Sequence, residues 1–488
     1  MAPKFGTSGL RGLVTELTDG LCAGYTRAFL AAVPHEGRLF LGRDLRASSA
    51  RIAAAVAAAA AEAGVAVADC GELPTPALAL AAIFLAAMTS YIAGMWTTHK
   101  TWWPWEKLSD VQTAWRSWRA TGYFLPADTY ARRKPEVPDE VHTVHDAAAV
   151  APGLWAINRY DPPTAGYVFE LLDESGAVLN TFPIDYSRIN PDGVSSEFAH
   201  IATVLPDGSV LVVWDDAPGM ARLDACGDPI WSKTDRIYHH SLERGVDGYW
   251  TWATDNWYGG EDQDMIRFDP MTGEIVESIN IIDDVIEKYL ENRLRLTIPE
   301  GYRYNRDSQP GEQKDIFHPN DLEELLPEMA AAFPEFEAGD LLVSLRNIQA
   351  VAVIGRRTGE VKWIAHGPWR DQHDPDFQAD GTISIFSNNT DRSRSQIITV
   401  DPRTGTSRDL FAGTDLSFDS FIMGKHEHLP NGNWMITSTI QGRVIEATPD
   451  GRIVREYNNI LNEGYNALVL YSEHLEPGYL AEVPKCAK

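Results

Sequence analysis

Basic residues are scarce in this 488-residue chain: 42 lysines and arginines stand against 69 aspartates and glutamates, a formal net charge of -27. Affinity for nucleic acid comes largely from cations that neutralise phosphates, so no nucleic-acid partner is expected. Any anion must be held by a local cluster, not by the overall field. Cysteine is also sparse, with four residues and no CxxC pair, which speaks against a zinc site or a disulfide scaffold. A bridge between Cys226 and Cys486 would need an oxidising compartment and a geometry that sequence does not supply, so their pairing stays open at this level. No aspartate or glutamate cage at metal spacing occurs, and no metal or other cofactor is expected. The polar start of the chain argues against a cleavable signal peptide.

What is present points to β-structure. Fifteen tryptophans, 38 glycines and 29 prolines suit many turns and aromatic sheet surfaces. The length exceeds one ordinary core, so either two or more globular units or a repeat array is expected.

Residues 1–82 differ from the rest in being alanine-rich and poor in aromatics, and read as α/β, with a helix over Ala53–Gly64 and a short strand over Leu39–Gly42. Within them Phe5-Gly-Thr-Ser-Gly-Leu-Arg-Gly12, Gly42-Arg-Asp-Leu-Arg-Ala-Ser-Ser49 and Glu72-Leu-Pro-Thr-Pro-Ala-Leu78 occur in order. This resembles the opening of the phosphohexomutase family, phosphoglucomutase and phosphomannomutase. That family's phosphoserine loop and its DGDxDR magnesium loop have no counterpart here, and a mutase without its phosphoryl carrier cannot turn over. A truncated first domain is therefore expected, with a remnant sugar phosphomutase as the weaker reading.

Between Glu72 and His99 no charged residue occurs. The run Ala77–Trp96, within a segment set at 77–97, is about long enough to cross a hydrocarbon core of ~30 Å, so a transmembrane anchor is expected. Trp96, Trp102, Trp103 and Trp105 would form its interfacial belt. Lys100, Lys107, Arg116 and Arg119 lie after the span, which by the positive-inside rule keeps the downstream chain in the cytoplasm; the foreign character of residues 1–82 leaves that balance uninformative. Residues 98–149 read as an amphipathic, partly helical connector.

After residue 150 the chain repeats. A turn of the form Asp-x-x-Gly or Arg-x-Thr-Gly recurs at Asp173–Gly176, Asp224–Gly227, Asp269–Gly273, Arg356–Gly359, Asp401–Gly405 and Pro449–Gly451. The spacing is one propeller blade of about 40–50 residues, with one interval lengthened by an insertion placed at about 281–338. A second series, Gly208, Gly248, Gly339, Gly381 and Gly432, leads an alternating apolar strand each time. Two hairpins per repeat make a four-stranded blade, so residues 150–480 are expected to form a six-bladed β-propeller. Leu154–Ile184 and Ala467–Tyr471 would share the sixth blade and close the ring, which removes free edges.

The histidines share the same period. Eight residues before Gly208, Gly248 and Gly381 stand His200, His240 and His373, and His318 takes this place in the blade with the insertion. Seven residues after the same glycines stand Asp215, Asp255, Arg346, Asn388 and Thr439. In a hairpin the start of one strand and the end of the next share an edge, so these groups should meet at one channel mouth. Singly, each histidine reads as an ordinary hydrogen-bonded or surface residue; their common register is the informative feature. Imidazoles around a guanidinium suit an anion whose oxygens change charge during reaction. A three-histidine metal site is the chemical rival.

Phe317-His-Pro-Asn-Asp321, Leu341-Leu-Val-Ser-Leu-Arg346, Gln372-His373 with Phe386-Ser-Asn-Asn389, and His428-Leu-Pro-Asn-Gly-Asn433 together resemble the arylsulfotransferase family. These are bacterial six-bladed propellers that move sulfuryl groups between phenols without a nucleotide donor. The resemblance covers about residues 150–480 and implies ping-pong transfer from an aryl sulfate to a phenol through a sulfohistidine. It makes His373 the nucleophile, with His240, His318 and Arg346 on the sulfate oxygens. His200, His239, Asn388 and Trp369 are expected at the substrate, and Trp214, Trp252, Trp257 and Trp369 are the aromatic candidates for stacking on a phenol ring. An aryl sulfate and a phenol are then the small-molecule partners, and the propeller is expected in the periplasm or elsewhere outside the cytoplasm, tethered by one helix. The competing reading is a non-catalytic, membrane-tethered propeller that binds an aromatic anion or a protein partner at the same mouth.

Overall fold

The computed structural model describes the chain apart from residues 1–3, 7–8, 12, 73–87, 92–93, 95–123, 126–127, 135, 216, 256–262, 289–316, 390–393, 415 and 487–488. It falls into two compact units, Met1–Arg119 and Ala120–Lys488.

In the first unit a strand Arg38–Arg43, a helix Ser49–Glu62 and a strand Ala66–Glu72 form a parallel crossover, and a second helix spans Asp19–Ala32. Parallel strands need such a crossover because a tight turn cannot bring the chain back in the same direction. Thr18 caps the helix at Asp19 by accepting from the Leu21 amide at 3.3 Å, and the small apolar core is Leu30, Ala60 and Val65. This agrees with the α/β reading of residues 1–82. Among the described residues no helix is long and apolar enough to cross a membrane. Most of the run 77–96 lies outside them, only 88–91 and 94 being described there, as helix. The expected transmembrane anchor thus finds no support.

The second unit is a six-bladed propeller of antiparallel sheets. Blade I combines Val469–Leu475 as innermost strand with Leu154–Asp161, Gly166–Leu172 and Val178–Ile184. This is the closure expected from the repeat count, with both halves of the chain in one sheet. Blade II holds Ile201–Val204, Val210–Val213, Met220–Leu223 and Pro229–Lys233. Blade III holds Ile237–Gly245, Gly248–Thr254, Asp264–Phe268 and Ile275–Asn280. Blade IV holds Pro319–Glu324, Leu341–Leu345, Ala350–Ile354 and Val361–His366. Blade V holds His373–Phe377, Ile383–Ser387, Gln396–Val400 and Ser407–Asp409. Blade VI holds Lys425–His428, Trp434–Ser438, Arg443–Ala447 and Ile453–Asn458, extended by His142–Val144 as a fifth, outer strand.

Every glycine of the two turn series has positive φ, from 69° at Gly405 to 138° at Gly248, which is why glycine recurs there. The inserted chain divides in two. One part separates Asn280 from Pro319, between blades III and IV, and a second excursion separates Glu324 from Leu341 inside blade IV. The connector 98–149, expected to be partly helical, contributes strands where it is described: Phe124–Leu125, Asp128–Arg132 and His142–Val144.

Large apolar side chains fill the spaces between blades, among them Trp155, Trp214, Trp250, Trp252 and Phe268, all fully buried. Each contributes about 1.5–3 kcal/mol by leaving water. Around the channel every seam between blades is also crossed by a side-chain to main-chain hydrogen bond. Glu473 of blade I accepts from the Val204 amide of blade II at 3.0 Å, and Asp215 of blade II from the His240 amide of blade III at 3.3 Å. The Ser241 hydroxyl of blade III donates to Leu322 O of blade IV at 3.1 Å, and Glu323 of blade IV accepts from the Phe377 amide of blade V at 2.7 Å. Asp374 of blade V accepts from the His426 amide of blade VI at 2.5 Å, and Glu427 of blade VI from the His474 amide of blade I at 2.9 Å. The channel side of an innermost strand has no further strand to pair with, and these acceptors satisfy donors that would otherwise be buried alone.

The chain after blade I continues across blade II. The Tyr479 hydroxyl donates to Val204 O at 2.8 Å, and Cys486 forms a disulfide with Cys226, 260 residues away. The bridge left open by the sequence is formed.

Candidate active site

The four in-register histidines stand where the repeat places them. His200 and His318 immediately precede the innermost strands of blades II and IV, His373 opens that of blade V, and His240 lies within that of blade III. His240 and His318 have φ of 60° and 45°, a conformation uncommon for side chains of this size and typical of functional turns. Their rings touch in series: the centroids of His200 and His240 are 5.0 Å apart, and those of His240 and His318 are 4.9 Å apart. His200, His240 and His373 line one cavity together with Asn320, Asp321 and Lys425. Arg346 begins the short helical turn after the second strand of blade IV, and its amide donates to His318 O at 3.1 Å. Burial and then the Arg346 charge press the His373 pKa down to about 3, so this imidazole is neutral throughout the physiological range. His240 is also held well below its ordinary value, by burial and by His239, His318, His200 and His373 around it.

The tautomer of His373 is set by its partners. Asn388 comes just after the second strand of blade V, and its Nδ2 donates to Ser420 O at 2.8 Å and Met423 O at 2.5 Å. That orients Asn388 Oδ1 toward His373 Nδ1, 2.8 Å away, with Asp371 O at 3.1 Å from the same nitrogen. Two acceptors at Nδ1 require a proton there and leave the lone pair on Nε2. The Met423 amide donates to that Nε2 at 3.3 Å.

Several expected roles change. His239 is fully buried, with Nε2 2.9 Å from Gln263 Oε1 and Nδ1 2.7 Å from His240 Nδ1. It stands behind His240: the ladder with the second strand is interrupted after His239 and His240 takes a φ of 60°, which turns the two adjacent rings apart. Trp369 is 2% exposed, packs in the core with Leu342, Trp363 and Phe377, and donates from Nε1 to Gln349 O at 3.1 Å. Trp214 and Trp252 are fully buried as well, so these three are packing residues; Trp257 lies outside the described residues. Asp255 pairs with Arg236 at 2.8 Å. His200 bonds through Nδ1 to Asp215. Ligand-type atoms of His200, Asp215 and His240 lie within 4.8 Å of one another. Both histidines bond through Nδ1 within this network of imidazoles and carboxylate.

Sequence reasoning missed what lies beneath the histidines. Lys425 Nζ sits 2.9 Å from Asp374 Oδ1 and 3.2 Å from Glu243 Oε1, and 5.0 Å from the centre of the Tyr471 ring. Burial pushes Asp321 and Asp376 well above the ordinary carboxylate value. Asp374 is held at about 2, because Lys425 and the His426 bonds outweigh its burial. One lysine thus keeps this acidic floor from repelling an anion held above it. A signal existed: three residues after His240, His318 and His373 stand Glu243, Asp321 and Asp376.

The site is thus a closed propeller with imidazoles, a guanidinium and a tautomer-fixed histidine gathered at its channel. The arylsulfotransferase (ASST) family model matches residues 202–460, and the chain belongs to that family. The model for the phosphoglucomutase/phosphomannomutase α/β/α domain I matches residues 2–92. A phosphomannomutase of Sinorhizobium fredii is 50% identical over 100 residues, 19% of this chain and 21% of that protein. A phosphoglucosamine mutase of Thermotoga petrophila is 46% identical over 77 residues, 16% of this chain and 18% of that protein. The chain thus spans about a fifth of the length of these curated relatives. Among solved structures, a protein of unknown function from Bacteroides caccae aligns with TM-score 0.44 and 11% identity, covering 65% of this chain and 98% of that one. The TolB protein of Acinetobacter baumannii aligns with TM-score 0.38 and 14% identity, covering 66% of each chain.

Proposed function

We propose that the propeller moves a sulfuryl group from an aryl sulfate to a phenol in two steps through a sulfohistidine at His373, without a nucleotide donor. The observation that carries this reading is the bonding of His373: Nδ1 engaged by Asn388 and Asp371 puts the lone pair on Nε2, where the Met423 amide meets it at 3.3 Å and must yield it to sulfur. In the first step Nε2 attacks sulfur, the S–O bond to the aryl group breaks, and its electron pair leaves with the phenolate. In the second step the acceptor oxygen attacks sulfur and the S–N bond breaks, returning its electron pair to Nε2. Such transfer, by analogy with phosphoryl transfer, needs alignment and charge stabilisation more than covalent help. Arg346 and the imidazole of His318 supply donors to the sulfuryl oxygens.

The Cys226–Cys486 bridge supports work in an oxidising compartment, outside the cytoplasm. The mutase-like segment lacks the chemistry of a mutase, and no mutase activity is assigned to it. The test is direct. Purified protein given 4-nitrophenyl sulfate alone should release one equivalent of 4-nitrophenol in a burst and gain the mass of one sulfuryl group. Added phenol should then restore turnover, and His373→Ala should abolish both. Absence of burst and mass gain across a range of aryl sulfates defeats the proposal and leaves a propeller that binds without turnover.

A further inference from the structure

Behind His240 runs a short buried chain of hydrogen bonds. Gln263, just before the third strand of blade III, is fully buried, as is His239. Gln263 Oε1 is an acceptor, so the His239 Nε2 that meets it at 2.9 Å carries a proton. A neutral imidazole has only one N–H, so His239 Nδ1 holds a lone pair. The contact of 2.7 Å between His239 Nδ1 and His240 Nδ1 then needs its proton from His240. The direction of the first bond therefore sets the second, and the basic nitrogen of His240 is Nε2. Each link is enclosed, and in such surroundings a bond in a chain polarises the next.

We propose that Gln263 and His239 form a positioning relay that fixes His240 with its proton on Nδ1, presenting a basic Nε2 to the hydroxyl of the acceptor phenol. The inference rests on the sulfotransferase reading above and deepens it. In the second step His240 Nε2 takes the phenol O–H proton while the phenol oxygen forms its bond to sulfur and the S–N bond to His373 breaks. The protonated His240 then releases that proton to solvent, and the phenolate expelled from the donor is free to take one back from solvent, so a full cycle consumes none. His240 is faced by His239 on its own strand, by His200 and Asp215 from blade II, by His318 from blade IV and by His373 from blade V. Burial and this crowding keep it unprotonated and ready to accept a proton. His239 and Gln263 touch no substrate; they act through His240.

The experiment uses the full chain, 4-nitrophenyl sulfate as donor, and two acceptors: phenol, which must lose a proton, and pentafluorophenol, which is already ionised at neutral pH. In Gln263→Leu the 4-nitrophenol burst should persist. Transfer to phenol should fall about 100-fold, within the range of general base catalysis, while transfer to pentafluorophenol should fall far less. Gln263→Glu, whose carboxylate can only accept, should restore transfer to phenol. It should also move the acid limb of that step to higher pH, because a negative charge behind His239 makes His240 more basic. Equal losses with both acceptors, or no loss with phenol, would overturn the relay. Should Gln263→Leu not fold, an acid limb unmoved in Gln263→Glu overturns it equally. Absence of a burst in the wild type sinks the sulfotransferase reading instead, so the two failures are distinct.

Discussion

The Nδ1 of His373 and the Oδ1 of Asn388 lie 2.8 Å apart, and the amide end of Asn388 is fixed by the carbonyls of Ser420 and Met423. One blade therefore sets the protonation pattern of its own His373 with help from the loop that leads into the next.

Removing that partner should slow the reaction without removing the nucleophile. Asn388→Ala should lower the burst rate about 10–100-fold, the usual cost of losing a group that orients a reactive imidazole. A stopped-flow burst and an unchanged far-ultraviolet circular dichroism spectrum would check it; a wild-type rate would show the contact to be incidental.

Arg346 acts on His373 in two ways. Burial and, after it, the Arg346 charge hold the His373 pKa at about 3, so the burst rate should be flat in pH down to the acid limit of folding. In Arg346→Met the repulsion against imidazolium disappears, the pKa rises, and an acid limb should enter the accessible range. The rate on the plateau should also drop about 100–1,000-fold through loss of oxyanion stabilisation. One pH profile of the burst checks both effects.

Glu427 links acidity to the strength of the ring. Burial raises it from 4.5 to about 8 although the His474 amide bonds to it. The folded protein holds this proton up to about pH 8 while the unfolded chain releases it above 4.5. The contribution to stability is therefore full below 4.5 and is lost as pH rises through about 8. Glu427→Gln keeps an acceptor for the His474 amide and removes the titration. Its thermal midpoint should fall less than that of the wild type between about pH 5 and pH 8.

The bridge between Cys226 and Cys486 closes a loop of 260 residues. Cys486→Ser should cost about 2–5 kcal/mol of stability, measured by denaturant unfolding under non-reducing conditions. A midpoint that does not change would mean that the contacts of Tyr479 and its neighbours hold this tail by themselves.

Much of the propeller is legible in the sequence because its turns demand positive φ and so advertise themselves as periodic glycines. The same period carries His200, His240, His318 and His373 to one mouth. The features that escape depend on neighbours rather than on period. His239 and His240 are adjacent in sequence, and the break in the ladder between them separates the group at the channel from the group behind it. Glu323, Asp374, Glu427 and Glu473 look like ordinary strand charges until the amide each accepts from, on the next blade, is known. Trp369 misleads for a related reason: an aromatic near a catalytic motif is as suited to filling the wedge between blades as to meeting a ligand. The outer strand His142–Val144 escapes because three residues carry no periodicity.

The shared construction of blade I governs how the molecule can be made. Its innermost strand, Val469–Leu475, pairs with Leu154–Asp161, so a ribosome must translate almost the whole propeller before the circle can be joined. Until then the nascent chain presents an open edge at Leu154, the kind of unpaired strand that chaperones cover. A premature stop anywhere upstream of residue 469 should yield not a smaller ring but an unsealed arc prone to aggregate.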